Sequence, residues 1–175
     1  MNDNSNSTQN LDGLVAVVTG AAQGLGLGIA EQLAREGATV IIADLQREEA
    51  EKASAGLREQ SLDVQASYLD ISESAGVTTF FDALVGEYGQ LDILINNAGV
   101  GQTVTPTVEL SDEEWQRVMN NTLNGTFYCC RAAGAIMEGQ ESGCIVNVSS
   151  INGQNPAVLV AAYNVAKAGV IMLTR

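Results

Sequence analysis

The chain has 175 residues, 46% of them apolar and 17% charged, which is one globular domain by length and enough apolar content for a real core. A formal charge of −13 sets the surface against nucleic-acid phosphates and anionic headgroups, and no apolar run approaches the ~20 residues of a membrane span, so neither nucleic acid nor membrane is an expected partner. There is no histidine, which removes histidine bases, triads and histidine metal sites; no metal is expected, and acid–base chemistry near neutrality needs another group.

Residues 1–10 are polar, without a basic flank or apolar stretch, and read as a short disordered tail rather than a secretory signal. The globular region is expected over 11–175. Leu14 to Thr19 is a short apolar run that reads as a strand buried on both faces, followed by a glycine-rich turn, Gly20 to Gly26. Leu25, Ile29, Leu33 and Ala34 then recur at helical spacing up to Gly37. Thr39 to Ala43 is a second strand ending at Asp44, Arg47 to Glu59 a charged helix, and Val64 to Leu69 a third strand ending at Asp70. Ser72 to Tyr88 is a helix with Val77, Phe80, Phe81, Leu84 and Val85 on its inner face, and Leu91 to Ile95 a fourth strand before Asn96-Asn97-Ala98-Gly99. Ser111 to Glu114 is a capping box that starts a long helix running toward Met137. Gly143 to Val148 is a fifth strand ending at Ser149-Ser150, and a last helix begins near Ala161 and still runs at Arg175. Cys129, Cys130 and Cys144 are odd in number and lie among apolar residues; they read as reduced core fillers, which points to a reducing cytosol. Strand–helix alternation with such apolar strands predicts an α/β fold, a Rossmann-like doubly wound parallel sheet with five strands.

The turn Thr19-Gly20-Ala21-Ala22-Gln23-Gly24-Leu25-Gly26 joins a strand to a helix, the context in which glycines admit a pyrophosphate to backbone N–H groups at a helix N-terminus. Gly20, Gln23, Gly24, Leu25 and Gly26 are therefore candidate cofactor contacts. No Lys-Ser/Thr follows the last glycine, so a P-loop is excluded. Asp44 ends the next strand, where a carboxylate accepts hydrogen bonds from adenosine ribose hydroxyls and repels a 2′-phosphate, favouring NAD over NADP. Arg47 is the counter-signal, since it is able to reach such a phosphate. A methyltransferase shares these features and stays open at this point of the chain.

Four motifs occur in order: Thr19-Gly20-x-x-x-Gly24-x-Gly26, Asn96-Asn97-Ala98-Gly99, Ser150, and Tyr163-x-x-x-Lys167. Together they resemble the short-chain dehydrogenase/reductase family, over essentially all of the chain from Leu11. Tyr163 and Lys167 are one helical turn apart, so they share a face, and an ammonium beside a phenol favours the phenolate. The resemblance implies an oxidoreductase that moves a hydride between NAD(H) and an alcohol or carbonyl substrate. In it Tyr163 exchanges the proton, Lys167 also holds the nicotinamide ribose, and Ser150 hydrogen-bonds the substrate oxygen, with neighbouring Ser149 as the competing hydroxyl. It also implies Asp70 and Ile71 at the adenine, Asn97, Ala98 and Gly99 beside the adenosine, and residues 151–162 on the near side of the substrate pocket. Homodimers or homotetramers through the helices starting near Ser111 and Ala161 are implied as well.

Two departures stand out. The family carries an asparagine in a context like Asn-Leu-x-Gly, where it serves a water-mediated relay from the lysine; here Thr122-Leu123-Asn124-Gly125 puts a threonine there, without an amide's donor and acceptor. Asn121 is next door but is expected to turn about 100° away on a regular helix, and only a local bulge, not expected here, would bring it back. Thr122→Asn is expected to leave activity equal or higher. The resemblance also implies two further strands, a proline–glycine segment and a substrate-covering loop after Arg175, so the sequence is expected to be a C-terminal truncation. Its fifth strand would form an exposed edge, and nucleotide binding and turnover would be weak. A nucleotide-binding protein without catalysis, or an inactive fragment, is the alternative reading.

Overall fold

The computed structural model describes residues 10–175. The expected tail lies outside the described residues except for Asn10, which opens an exposed turn. Five strands, β1 (Val15–Thr19), β2 (Thr39–Asp44), β3 (Val64–Tyr68), β4 (Ile93–Asn96) and β5 (Cys144–Asn147), form one sheet in the order β3-β2-β1-β4-β5. Every pairing is parallel, with Val17 opposite Ile41 on one side and Leu94 on the other. Each strand lies within two residues of its expected span. The helices are α1 (Gly24–Arg35), α2 (Arg47–Arg58), α3 (Ser74–Tyr88), α4 (Asp112–Met119), α5 (Gly125–Gln140) and α6 (Ala161–Leu173).

Side chains alternate across a strand, so consecutive residues of β1 feed two cores. Val18, with Val40, Ile42, Ala30 and Leu57, packs on the α1/α2 side. Val17, with Ile41, Phe81, Leu94 and Cys129, packs on the α3/α5 side. β1 is therefore buried at all five positions. Because β1 sits between β2 and β4, the chain winds outward in both directions from it. The crevice at its C-terminal end is the switch point where doubly wound sheets take ligands.

β3 and β5 are the edge strands, and β5 is exposed as expected, with Cys144 and Val146 open to solvent. Three expectations need correction. The cysteines are consequently not all core fillers; Cys129 is buried, Cys130 intermediate and Cys144 exposed. The last helix ends at Leu173 rather than running through Arg175, with Thr174 as its C-cap. The long helix from Asp112 is interrupted by a π-helical segment, Asn120–Asn124, and then runs to Gln140. Its polar residues back-bond within it: Asn121 to Arg117 O at 2.9 Å, Asn124 to Asn120 Oδ1 at 2.8 Å, and the Thr126 hydroxyl to Thr122 O at 2.7 Å. Such bonds offset the loosened ladder of a π-turn.

Candidate active site

The glycine turn is bolted to β4. Asn97 Nδ2 donates to Thr19 O at 3.0 Å and Gly20 O at 2.9 Å, and the Thr19 hydroxyl accepts the N–H groups of Asn97 and Ala98, both at 3.1 Å. This closeness demands bare backbone. A Cβ on Gly26 would stand 2.5 Å from Asn97 Nδ2 and from Gly20 O, and one on Gly20, at φ +63°, would stand 2.7 Å from the Ala98 Cα.

The cleft above β1 has a volume of about 240 Å³ and brings together Gly20, Gln23, Asp44, Asp70, Ile71, Asn97, Ala98 and Gly99. Gly24, Leu25 and Gly26 do not line it. Leu25 points to solvent and Gly26 is buried against Asn97, although all three form the first turn of α1. Leu45, Gln46, Leu69, Val100 and Asn121 also line the cleft and were not anticipated. Asn121 is a correction: the π-segment turns it into the cleft where a regular helix would not.

The residues present fit a dinucleotide. Among the described residues no side chain caps the N-terminus of α1, and open space stands where Gly24, at φ +61°, would carry a Cβ. At the far end Asp44 is buried, its carboxylate accepting the N–H groups of Ala22 and Gln46, both at 2.9 Å. Arg47 lies over the Tyr68 ring, 5.5 Å from its centroid. Asp70 folds back on its own turn, taking the Ser72 N–H at 2.9 Å and the Ser72 hydroxyl at 2.7 Å. Ile71 packs against Gly125, where a Cβ would collide with its side chain.

Tyr163 and Lys167 share a face of α6, with Lys167 Nζ 5.9 Å from the Tyr163 ring centroid. Lys167 is only 5% exposed and donates to Val148 O at 2.7 Å; burial lowers its pKa below the ordinary lysine value. A Cβ on Gly99 would stand 3.5 Å from both Lys167 Nζ and the Thr122 hydroxyl. Thr122 is fully buried, its hydroxyl accepting the Val100 N–H at 3.3 Å. The two serines divide their work. Ser149 Oγ donates to Lys167 O at 2.8 Å, tying the end of β5 to α6. Ser150 Oγ accepts the Asn152 N–H at 3.2 Å, which leaves its own proton for another acceptor. The 3₁₀ turn between them and α6, Ile151–Gly153, packs so closely that a Cβ on Gly153 would stand 2.8 Å from Lys167 O, a contact no sequence pattern announced.

Among the described residues no cluster of potential metal ligands occurs, and no helix is long and apolar enough to cross a membrane. Residues 14–175 match the family model described as short chain dehydrogenase. A galactitol 2-dehydrogenase of Rhizobium johnstonii is 40% identical over 167 residues, covering 94% of this chain and 65% of that protein. An NAD+-bound xylitol dehydrogenase superposes with a TM-score of 0.91 at 33% identity, covering 94% of this chain and 64% of that one. A metagenomic short-chain oxidoreductase in complex with NADP does so with a TM-score of 0.90 at 32% identity, covering 93% of this chain and 74% of that one. The chain spans less than two-thirds of the length of curated relatives such as the galactitol 2-dehydrogenase, and the match over residues 14–175, with the five-stranded sheet, the glycine turn and the Tyr-x-x-x-Lys helix, makes it a member of the short-chain dehydrogenase/reductase family.

Proposed function

We propose that the protein oxidises a secondary alcohol, or reduces the corresponding ketone, with NAD(H), using Ser150, Tyr163 and Lys167. The observation that carries this reading is a buried ammonium on the same helix face as a phenol, anchored to Val148 O beside Gly99 of the cleft. Bound nicotinamide supplies the hydride acceptor or donor. The Tyr163 Oη takes the proton from the alcohol during oxidation and returns it during reduction. The Lys167 ammonium stands beside the phenol and is held there by its hydrogen bond to Val148 O. The Ser150 hydroxyl, free of the α6 bond that occupies Ser149, donates to the substrate oxygen.

Preference for NAD rests on Asp44. Its carboxylate is held at the cleft by two N–H groups, while Arg47 is stacked on Tyr68. Asp44→Ser is expected to narrow the ratio of NADP to NAD dissociation constants by about ten-fold or more, consistent with the loss of one close charge repulsion. Galactitol and xylitol, the substrates in the names of two relatives, make polyols the first compounds to assay. The deciding experiment measures NADH formation by wild type and Tyr163→Phe across a polyol and cyclic-alcohol panel. Turnover is expected to fall by roughly 100-fold or more, with the NAD dissociation constant within about three-fold, less than one hydrogen bond's worth. Undiminished turnover in the variant would remove the tyrosine from the mechanism. Binding of NAD with no turnover by the wild type would favour a dinucleotide-binding protein without catalysis, a reading to which Thr122 at the relay position lends weight.

A further inference from the structure

The helix that carries Tyr163 lacks a cap of its own. Val160 precedes α6 and offers no side-chain oxygen, so the first N–H groups of the helix need an acceptor from elsewhere. That acceptor comes from sixty residues earlier: Gln102 Oε1 takes the Ala162 N–H at 2.7 Å and the Tyr163 N–H at 3.4 Å. The same amide donates through Nε2 to Leu159 O at 3.2 Å, and the Thr105 N–H reaches that carbonyl at 2.9 Å. Leu159 has φ +63°, a left-handed conformation that side chains other than glycine rarely adopt, so its two donors stabilise a strained entry into the helix.

Gln102 is itself held on both sides. Arg117 donates to Gly101 O at 2.7 Å, and Glu114 Oε1 accepts the Thr103 N–H at 2.9 Å. Arg117 and Glu114 are paired at 2.7 Å, and the Ser111 hydroxyl accepts the Glu114 N–H at 3.2 Å, which closes the start of α4. The Arg117 hydrogen bond and the Thr103 N–H hold the Glu114 carboxyl at about 2, so this clasp keeps its charge at any working pH. A continuous set of bonds therefore runs from α4, through residues 101–105, to the first turn of α6. The loop starts at Gly99 and Val100, which line the cleft.

We propose that Gln102 is the positioning residue of Tyr163: it caps α6 from the loop after β4 and so fixes the phenol relative to the cleft that the same loop borders. This rests on the reading of Tyr163 as the proton-exchanging group only for its consequence, and the placement is testable without turnover.

Amide hydrogen exchange and the Tyr163 ring resonance, assigned by comparison with Tyr163→Phe, are measured by NMR in the 175-residue chain. Gln102→Ala is expected to speed exchange at Ala162 and Tyr163 by roughly five- to ten-fold, the loss of one helix cap, and to shift the Tyr163 ring resonance, while β1 and β2 amides keep their protection. Gln102→Glu keeps the acceptor at the helix N-terminus, where a carboxylate is favourable, and loses the donor to Leu159 O, which retains the Thr105 N–H; it is expected to restore slow exchange at Ala162 and Tyr163 and, with it, the ring resonance. Unchanged exchange at the two amides, or an unmoved ring resonance, in Gln102→Ala overturns the proposal. So does global loss of protection in both variants, because a carboxylate that keeps the acceptor must rescue a cap. In a turnover assay the alanine variant is expected to lose kcat with the KM for dinucleotide unchanged, and the glutamate variant to recover it. Absent turnover in the wild type would fail the functional reading while leaving the NMR result to decide the cap.

Discussion

Lys167 is an ammonium taken out of water with a single backbone carbonyl fixed beside it, and its protonation is therefore tied to folding. Burial lowers its pKa in the folded chain, so between that value and the ordinary ~10.5 the unfolded chain binds more protons than the folded one. Stability contributed at this site then rises as pH climbs through that window. The expected outcome is that wild type gains on Lys167→Met in denaturant melts as pH is raised from 7 toward 10; a pH-independent difference would show the ammonium to be well solvated. The thiols are sorted by the same physics. Burial, reinforced by neighbouring Cys130, pushes Cys129 up to about 12, and burial raises Cys130 as well, whereas Cys144 is exposed on β5. A thiolate is the reactive form. A disulfide reagent at neutral pH is expected to modify Cys144 first, in one fast equivalent, and Cys129 only on unfolding; Cys144→Ser should abolish the fast phase.

At the scale of elements, the π-segment decides which of three adjacent polar side chains meets the cleft. Asn121 lines it, while Thr122 turns inward to the Val100 backbone, next to Gly99 and the lysine. Thr122→Val keeps the shape of a fully buried side chain and removes the hydroxyl, leaving the partly buried Val100 N–H without its acceptor. Its expected cost is about 1–3 kcal/mol, read as a lower denaturation midpoint with an unchanged slope; a neutral outcome would mean that water or a shifted loop replaces the hydroxyl. This segment also shows where sequence reasoning stops. The glycine turn, Asp44 and the Tyr-x-x-x-Lys pair were legible because each is a local pattern with its own spacing. The placement of Asn121 at the cleft was not, since a regular helix assigns directions by a period that the π-turn breaks, and nothing in the residue pattern announces such a bulge. Nor was Gln102: its bonds to α6 span sixty residues, and a lone glutamine in a loop carries no periodic or motif signal. Spacing to Tyr163 favours Ser150 over its neighbour only weakly, and the bond from Ser149 to the Lys167 carbonyl separates the two independently.

Over the whole molecule, the sheet is covered unevenly, and this sets its behaviour in solution. β1, β2 and β4 are protected by helices on both faces, but β5 pairs only with β4 and exposes Cys144 and Val146 on the α1 side. A parallel edge strand with free backbone groups and an apolar side chain at 45% exposure is a template for pairing with another chain. Opposing this is the net charge of −13, whose repulsion between copies acts over a Debye length of about 10 Å at 0.1 M salt and about 3 Å at 1 M. The two effects predict an unusual order: the 175-residue chain stays dispersed at low ionic strength and associates as salt is raised, the reverse of assembly driven by ion pairs. Val146→Lys places a charge on the exposed strand, where it opposes edge pairing without touching the α1/α2 core. In sedimentation velocity at matched concentration it is expected to hold the monomer to higher salt than wild type. If both proteins associate at the same salt concentration, the contact lies elsewhere, and the exposed apolar side chains of α6, Val165 and Met172, become the next surface to alter.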